Sequence, residues 1–240
     1  MRTPNQPSLP PPQRGFTRLE LAALLAAGAV LALVVFPAFG RSREPGQKAH
    51  CQSNLRRIGG ALLMYSQENG GLFPERSATN RWPQRLLPYY GDVRVLVCPS
   101  DGPNPQTFGG PANSPADSSP RSYLCNGWND YLNTLGVGLQ PGLFGKPMPE
   151  DAIPQPSQTI TFGEKFTDSG HFFLDVSFLD DLSELEQGRH GRSAPQTRDG
   201  GSHYAFADGS VRFLAFGTSL SPVNLWAVVD EIRTNTLVYP

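Results

Sequence analysis

The sequence predicts an α+β fold, with a long hydrophobic helix near the N-terminus followed by a loop-rich body of short strands. Three observations lead there. Leu21 to Gly40 (LAALLAAGAVLALVVFPAFG) carries no charge over about the length of a helix that crosses a bilayer core. Cys51, Asn54, Leu55, Ile58, Leu62 and Tyr65 then recur at three- and four-residue spacing, the period of an amphipathic helix. Beyond Gly71 the apolar segments are short and separated by turn residues; 25 glycines and 24 prolines in 240 residues leave little room for further long helices.

Taken in order, residues 1–15 (MRTPNQPSLPPPQRG) are proline-rich, contain no acid and read as an extended leader. Residues 16–40 form the apolar helix, with Pro37 as a point of bending. Residues 41–71 hold the amphipathic helix, which stops at Gly70-Gly71, and Pro45-Gly46 predicts a break between the two helices. Residues 72–240 make the globular body. Within it, 102–120 and 136–157 read as loops, 159–163 (TITFG) and 171–178 (HFFLDVSF) as strands, and 203–216 as a hairpin. The hairpin turns at Asp208-Gly209, a pair favoured where both turn residues need positive φ. A last helix over 225–232 follows Ser221-Pro222.

The net charge of -1 conceals two opposed regions: residues 1–57 hold 8 basic and 2 acidic side chains, and residues 58–240 hold 12 and 19. An acidic body excludes a nucleic-acid partner, whose reader would itself be basic. The apolar run by itself fits a cleaved secretory signal or a simple signal anchor. Glu20 separates these from a third reading, because an ionisable group at the start of an apolar segment is costly in lipid and tends to be functional.

Arg14-Gly15-Phe16-Thr17 with Glu20 and the apolar helix resembles the cleavage and methylation signal of type IV pilins and type II secretion pseudopilins. The resemblance implies cleavage between Gly15 and Phe16 by a prepilin peptidase, N-methylation of Phe16, and a Glu20 carboxylate that neutralises the N-terminal ammonium of a neighbouring pseudopilin subunit. Arg18 departs from the pattern, which is apolar at that place, and could pair with Glu20. Further on, CQSNLRRIGGALLMYSQENGGLFP, VLVCPSD (95–101) and SYLCNGW (122–128) are similar to bacterial prepilin-like proteins that carry a C-terminal His-x9-Asp-Gly motif. That resemblance implies a pilin-like fold, in which the N-terminal helix packs on a small antiparallel sheet.

Three groups of residues are candidates for chemistry. His190, Asp208 and Gly209 match the C-terminal motif if eight residues are inserted around 192–199. A His–Asp pair can bind metal or transfer protons, but a turn and a structural hydrogen bond explain the residues more simply. Asp168, Asp175, Asp180, Asp181, Glu184 and Glu186 form an acidic stretch that reads as a solvated face, with Ca2+ as the alternative. Cys51, Cys98 and Cys125 allow one disulfide and one thiol; the family positions imply Cys51–Cys98. No Cys-x2-Cys pair or histidine cluster suggests zinc, so no metal is expected. No nucleophile elbow, phosphate loop or zinc-protease motif occurs, so an enzyme is not expected.

Two functions follow. The first is a non-enzymatic pseudopilin-like subunit of a type II secretion or type IV pilus-like machine, single-pass in the inner membrane, with its body in the periplasm or cell exterior. The second is a membrane-anchored periplasmic binding or enzymatic domain that uses the prepilin signal only for sorting. Its ligand site would lie near His190, His203, Asp208 and the acidic stretch.

Overall fold

The computed structural model describes residues 17–136, 146–176, 179–191 and 198–234, with the backbone alone for 34–44 and 179–180. The chain divides into two compact units, Met1–Arg43 and Glu44–Pro240. Helix α1 is assigned over Arg18–Glu68. The expected break at Pro45-Gly46 is absent, since helical backbone continues through both residues. A proline removes one backbone donor and crowds one carbonyl, but Pro45 is exposed, where water can take up the freed acceptor. The helix stops where it should: Gly70 and Gly71 lie at φ 67° and 79°, and the Gly71 N–H donates to the Ser66 carbonyl at 2.8 Å.

The first unit keeps its apolar side chains in the open: Leu19, Leu21, Leu24, Leu25, Val30, Leu31 and Leu33 are all exposed. Among the described residues, no helix is long and apolar enough to cross a membrane.

The second unit is α+β. Its five strands, β1 (Tyr123–Asn126), β2 (Ile160–Glu164), β3 (Phe173–Leu174), β4 (Gly201–Phe206) and β5 (Val211–Ala215), form one sheet in the order β3-β1-β2-β4-β5. The sheet is mixed rather than antiparallel. β2 runs antiparallel to β1 and to β4 on its other side, and β3 joins the free edge of β1, where it runs parallel. This strand is also shorter than the 171–178 expected, because the Asp175 N–H donates to the Asp181 carboxylate and the Val176 N–H to Asn129.

Side chains of the central strands alternate between two cores. Tyr123, Cys125, Phe162 and Ala205 join Cys51, Leu55, Ile58 and Leu62 of α1 and Trp82 and Leu86 of α2 (Trp82–Tyr90) on one face. Leu124, Ile160, Tyr204, Phe206 and Trp226 fill the other. Ile160 and Phe162 would share a face in a regular strand, yet they enter opposite cores. The ladder to β4 shifts register between them, and the extra residue of the bulge inverts the alternation. Gly59 of α1 faces the sheet, where a Cβ would sit in ordinary contact with that of Ala205, 3.4 Å away.

Two further expectations need correction. The hairpin turn has Gly209 at φ 82°, while Asp208 is not at positive φ. Gly209 N–H donates to Phe206 and Phe206 N–H to Ser210, a three-residue loop in which only the last position is left-handed. The last helix, α5, covers Asp230–Thr234, leaving α3 (Asn129–Thr134) and α4 (Leu179–Leu182) between α2 and it. Residues 225–229 are not helical because their backbone is used elsewhere. The Leu225 carbonyl accepts from Ile160 N–H, and the Val228 and Val229 amides donate to the buried Asp130 carboxylate at 2.5 and 2.9 Å.

Candidate functional site

The motif segments that are far apart in the sequence meet in one buried polar knot. Cys51, facing the sheet from α1, is bonded to Cys98, with Cα atoms 4.9 Å apart. Cys98 is held by its own amide, which donates to Ser122 Oγ at 2.9 Å. Three residues on, Asp101 forms an ion pair with Arg189 and accepts from Thr167 Oγ1 at 2.5 Å. Both members of the Asp101–Arg189 pair are almost fully buried, so each is the other's main compensation for lost water. A second Arg189 amine reaches the Lys165 carbonyl, and the Arg189 amide donates to Ser202 Oγ. The neighbouring His190 amide donates to Gly201 O at the start of β4.

His190 Nε2 lies 3.0 Å from Glu164 Oε1, and neither side chain reaches solvent. The other Glu164 oxygen accepts from the His203 amide at 3.3 Å. Burial pushes the Glu164 carboxyl up, but the hydrogen bond and charge of His190, with Arg189 and His203 behind them, outweigh it and leave the group below its ordinary value. His203 packs edge-on against His190, with ring centroids 4.7 Å apart, and against Phe213 on its other side. Burial drives its imidazole down to about 4, against the pull of Glu164, so His203 is neutral at pH 7.

The structure does not bring His190 and Asp208 together. His190 is tied to the first residue of β4, whereas Asp208 lies in the turn after its last and accepts from the Ser210 amide at 2.9 Å. Of the residues expected to line a ligand site, His190 and His203 are buried and Asp208 is exposed in its turn, apart from His190.

The acidic stretch is divided: Asp168 and Glu184 line one cleft and Asp175 and Asp181 another, with no metal-type cluster of three among the described residues of the stretch. Asp175 pairs with Arg76 at 2.5 Å, Asp181 lies 3.6 Å from His171 Nδ1, and Glu186 accepts from the Gly188 amide at 2.6 Å. The Asp180 side chain lies outside the described residues. Carbonyls of the same region are already occupied by cationic side chains. Lys165 Nζ donates to Gln106 O and Ser169 O, and Arg121 donates to Gly170 O and His171 O. The loop is folded around these two cations, and burial lowers the Lys165 ammonium to about 7.

Sequence reasoning missed Glu164, Lys165 and Arg121. The available signal was charge directly joined to a strand with both faces apolar, as in ITFGEK and RSYLC, where the side chain has to find its partners inside the fold.

At the N-terminus, Gly15 and Phe16 lie outside the described residues. Glu20 is the third residue of α1 and closes a reciprocal capping box with Thr17. Its carboxylate accepts from the Thr17 amide at 2.8 Å and from the Thr17 hydroxyl at 3.0 Å, while Thr17 Oγ1 accepts from the Glu20 amide at 3.2 Å. On the body, a cleft of about 310 Å³ is lined by Arg76, Arg81, Phe108, His171 and Phe172 among others.

No protein-family model, curated protein or solved structure matches the chain.

Proposed function

We propose that the chain is a pilin-like, pseudopilin-type structural subunit. A prepilin peptidase cleaves it between Gly15 and Phe16, Phe16 is methylated, and residues 16–40 hold it in the inner membrane beside other pseudopilins. The body, on the periplasmic or outer side, serves a type II secretion or type IV pilus-like machine and carries no catalysis.

The observation that carries this reading is the start of α1. The helix begins at Arg18, shortly after the proposed cut, is capped by Thr17 and Glu20, and among the described residues leaves its leucines and valines exposed. A helix apolar on every side needs lipid or other helices to cover it. The capping box uses the Thr17 amide, which remains an amide after cleavage before Phe16, so it survives maturation. The buried polar knot fits a structural role, since its charged groups pair with one another inside the fold and are closed to solvent.

Mass spectrometry of the membrane-bound protein tests the reading. The expected N-terminus is methylated Phe16; an intact Met1 or a cut near Phe39 overturns it.

A further inference from the structure

We infer that, when Cys51 and Cys98 are dithiols, they form with Glu164 and His190 a closed tetrahedral site for a zinc-class divalent cation, so that one point of the fold can be stapled by a disulfide or by a metal. The inference is independent of the pseudopilin reading. One ligand-type atom from each of the four residues lies within 4.8 Å of all the others. In a tetrahedral zinc site, metal–sulfur bonds of about 2.3 Å and metal–nitrogen or –oxygen bonds of about 2.0–2.2 Å place ligands roughly 3.3–3.8 Å apart. On reduction the two sulfurs would part from bonding contact to about 3.8 Å and His190 Nε2 and Glu164 Oε1, now 3.0 Å apart, would open slightly, while the longer donor pairs, at most 4.8 Å, would close in by up to about 1 Å.

The donor set is two sulfurs, one imidazole nitrogen and one carboxylate oxygen, which suits zinc and not magnesium or calcium. All four residues are buried, as in a structural site with no open coordination position. They arrive from α1, the segment after Leu96, the end of β2 and the loop before β4, so a cation there would tie together parts of the chain that are remote in sequence. Glu164 Oε2 accepts from the His203 amide, the Cys98 amide donates to Ser122 Oγ and the His190 amide to Gly201 O, while His190 Nδ1 has no hydrogen-bond partner among the described residues. Such outer partners set ligand orientation. In the disulfide form the proton between His190 Nε2 and Glu164 Oε1 takes the metal's place in joining these two groups.

The balance is simple. A water-soluble phosphine gives two electrons to the Cys51–Cys98 bond and becomes phosphine oxide with the oxygen of one water, whose two protons complete the thiols. Cation binding releases those two protons as the thiolates coordinate, and the proton between His190 Nε2 and Glu164 Oε1 passes to His190 Nδ1 or to solvent. A two-electron oxidant reverses both steps and expels the ion.

The test uses the full chain in detergent, in a Cys125→Ala background, reduced with the phosphine without oxygen and titrated with Co2+. One cobalt per chain is expected, with the intense visible bands of tetrahedral cobalt and a thiolate-to-cobalt charge-transfer band, both lost on adding Zn2+. The unreduced protein should show neither. Cys98→Ser should remove most of the charge-transfer band, and Glu164→Gln should weaken binding by about tenfold or more. A reduced protein that shows only octahedral cobalt overturns the inference, as does a tetrahedral spectrum unchanged when Glu164→Gln and His190→Ala are combined. If reduction alone unfolds the body, cobalt must restore its near-ultraviolet circular dichroism, because binding and folding are then one equilibrium; failure to do so also overturns it.

Discussion

The two units of the chain solve opposite problems. In Met1–Arg43 the described apolar side chains are exposed and the polar ones act locally, with Thr17 and Glu20 serving each other across three residues. In Glu44–Pro240 the apolar side chains fill two cores. The polar ones act at long range: Glu164 meets His190 across 26 residues and Cys51 meets Cys98 across 47. A polar group that water can reach needs only a neighbour, whereas one enclosed in a core must have its partner delivered by the fold. The first unit should therefore tolerate loss of a polar group, and the second should not.

The largest expected effect is in the knot. Arg189→Met leaves Asp101 buried without its cation, and breaking such a pair costs about 3–5 kcal/mol. The urea midpoint of Trp fluorescence should fall accordingly, and an unchanged midpoint would show that the pair carries no stability. Next comes the staple. Replacing both Cys51 and Cys98 by Ala frees a loop whose ends are 47 residues apart, at a cost of about 4 kcal/mol on the chain-entropy account. Unfolding of this variant in metal-free buffer measures it.

The pH dependence of the body is a smaller effect and has a definite sign. His203 titrates near 4 in the fold and at 6.5 when unfolded, so the unfolded chain binds the proton more readily. Its contribution is fully present above pH 6.5, declines as the pH falls towards 4, and amounts at most to about 3 kcal/mol. His203→Gln should flatten stability over that window relative to the parent protein. Parallel curves for the two would refute the assignment. Lys165 acts in the same sense at higher pH: with its ammonium held near 7 against an ordinary 10.5, stability should rise between these values and be lost as the pH falls from 10.5 to 7.

The same contrast explains how much was legible in the sequence. The amphipathic stripe of α1, its stop at Gly70-Gly71, β2 and the 203–216 hairpin were readable because each depends on spacing within a few residues. The mixed sheet was not, because Phe173-Leu174 pairs with Cys125-Asn126 of β1, far earlier in the chain, and no local spacing marks that partner. Nor was the fate of 225–229, where a helical pattern yields to an acceptor, Asp130, about a hundred residues away. The metal-type cluster escaped for the same reason. Zinc ligands are legible at short spacing, while Cys51, Cys98, Glu164 and His190 are separated by whole elements and meet only in the folded chain.

The smallest expected effect, at Glu20, is the most informative about the first unit. Its capping box and its proposed charge pairing with a neighbouring subunit's terminus use the same carboxylate, but they respond differently to substitution. Glu20→Gln keeps an oxygen for the Thr17 amide, so the cap survives, while the charge is gone. Glu20→Ala removes both, costing the helix end about 1 kcal/mol. Neither should move the urea midpoint of the body, whose core does not include this residue. If the carboxylate neutralises a neighbour's ammonium, both variants should be processed normally at Gly15-Phe16 and both should fail to enter filaments, as judged by sheared-fibre immunoblots. If Glu20 serves only its own helix, Glu20→Gln should assemble like the parent protein and only Glu20→Ala should falter, because a glutamine can satisfy an amide but cannot compensate a cation in an apolar bundle.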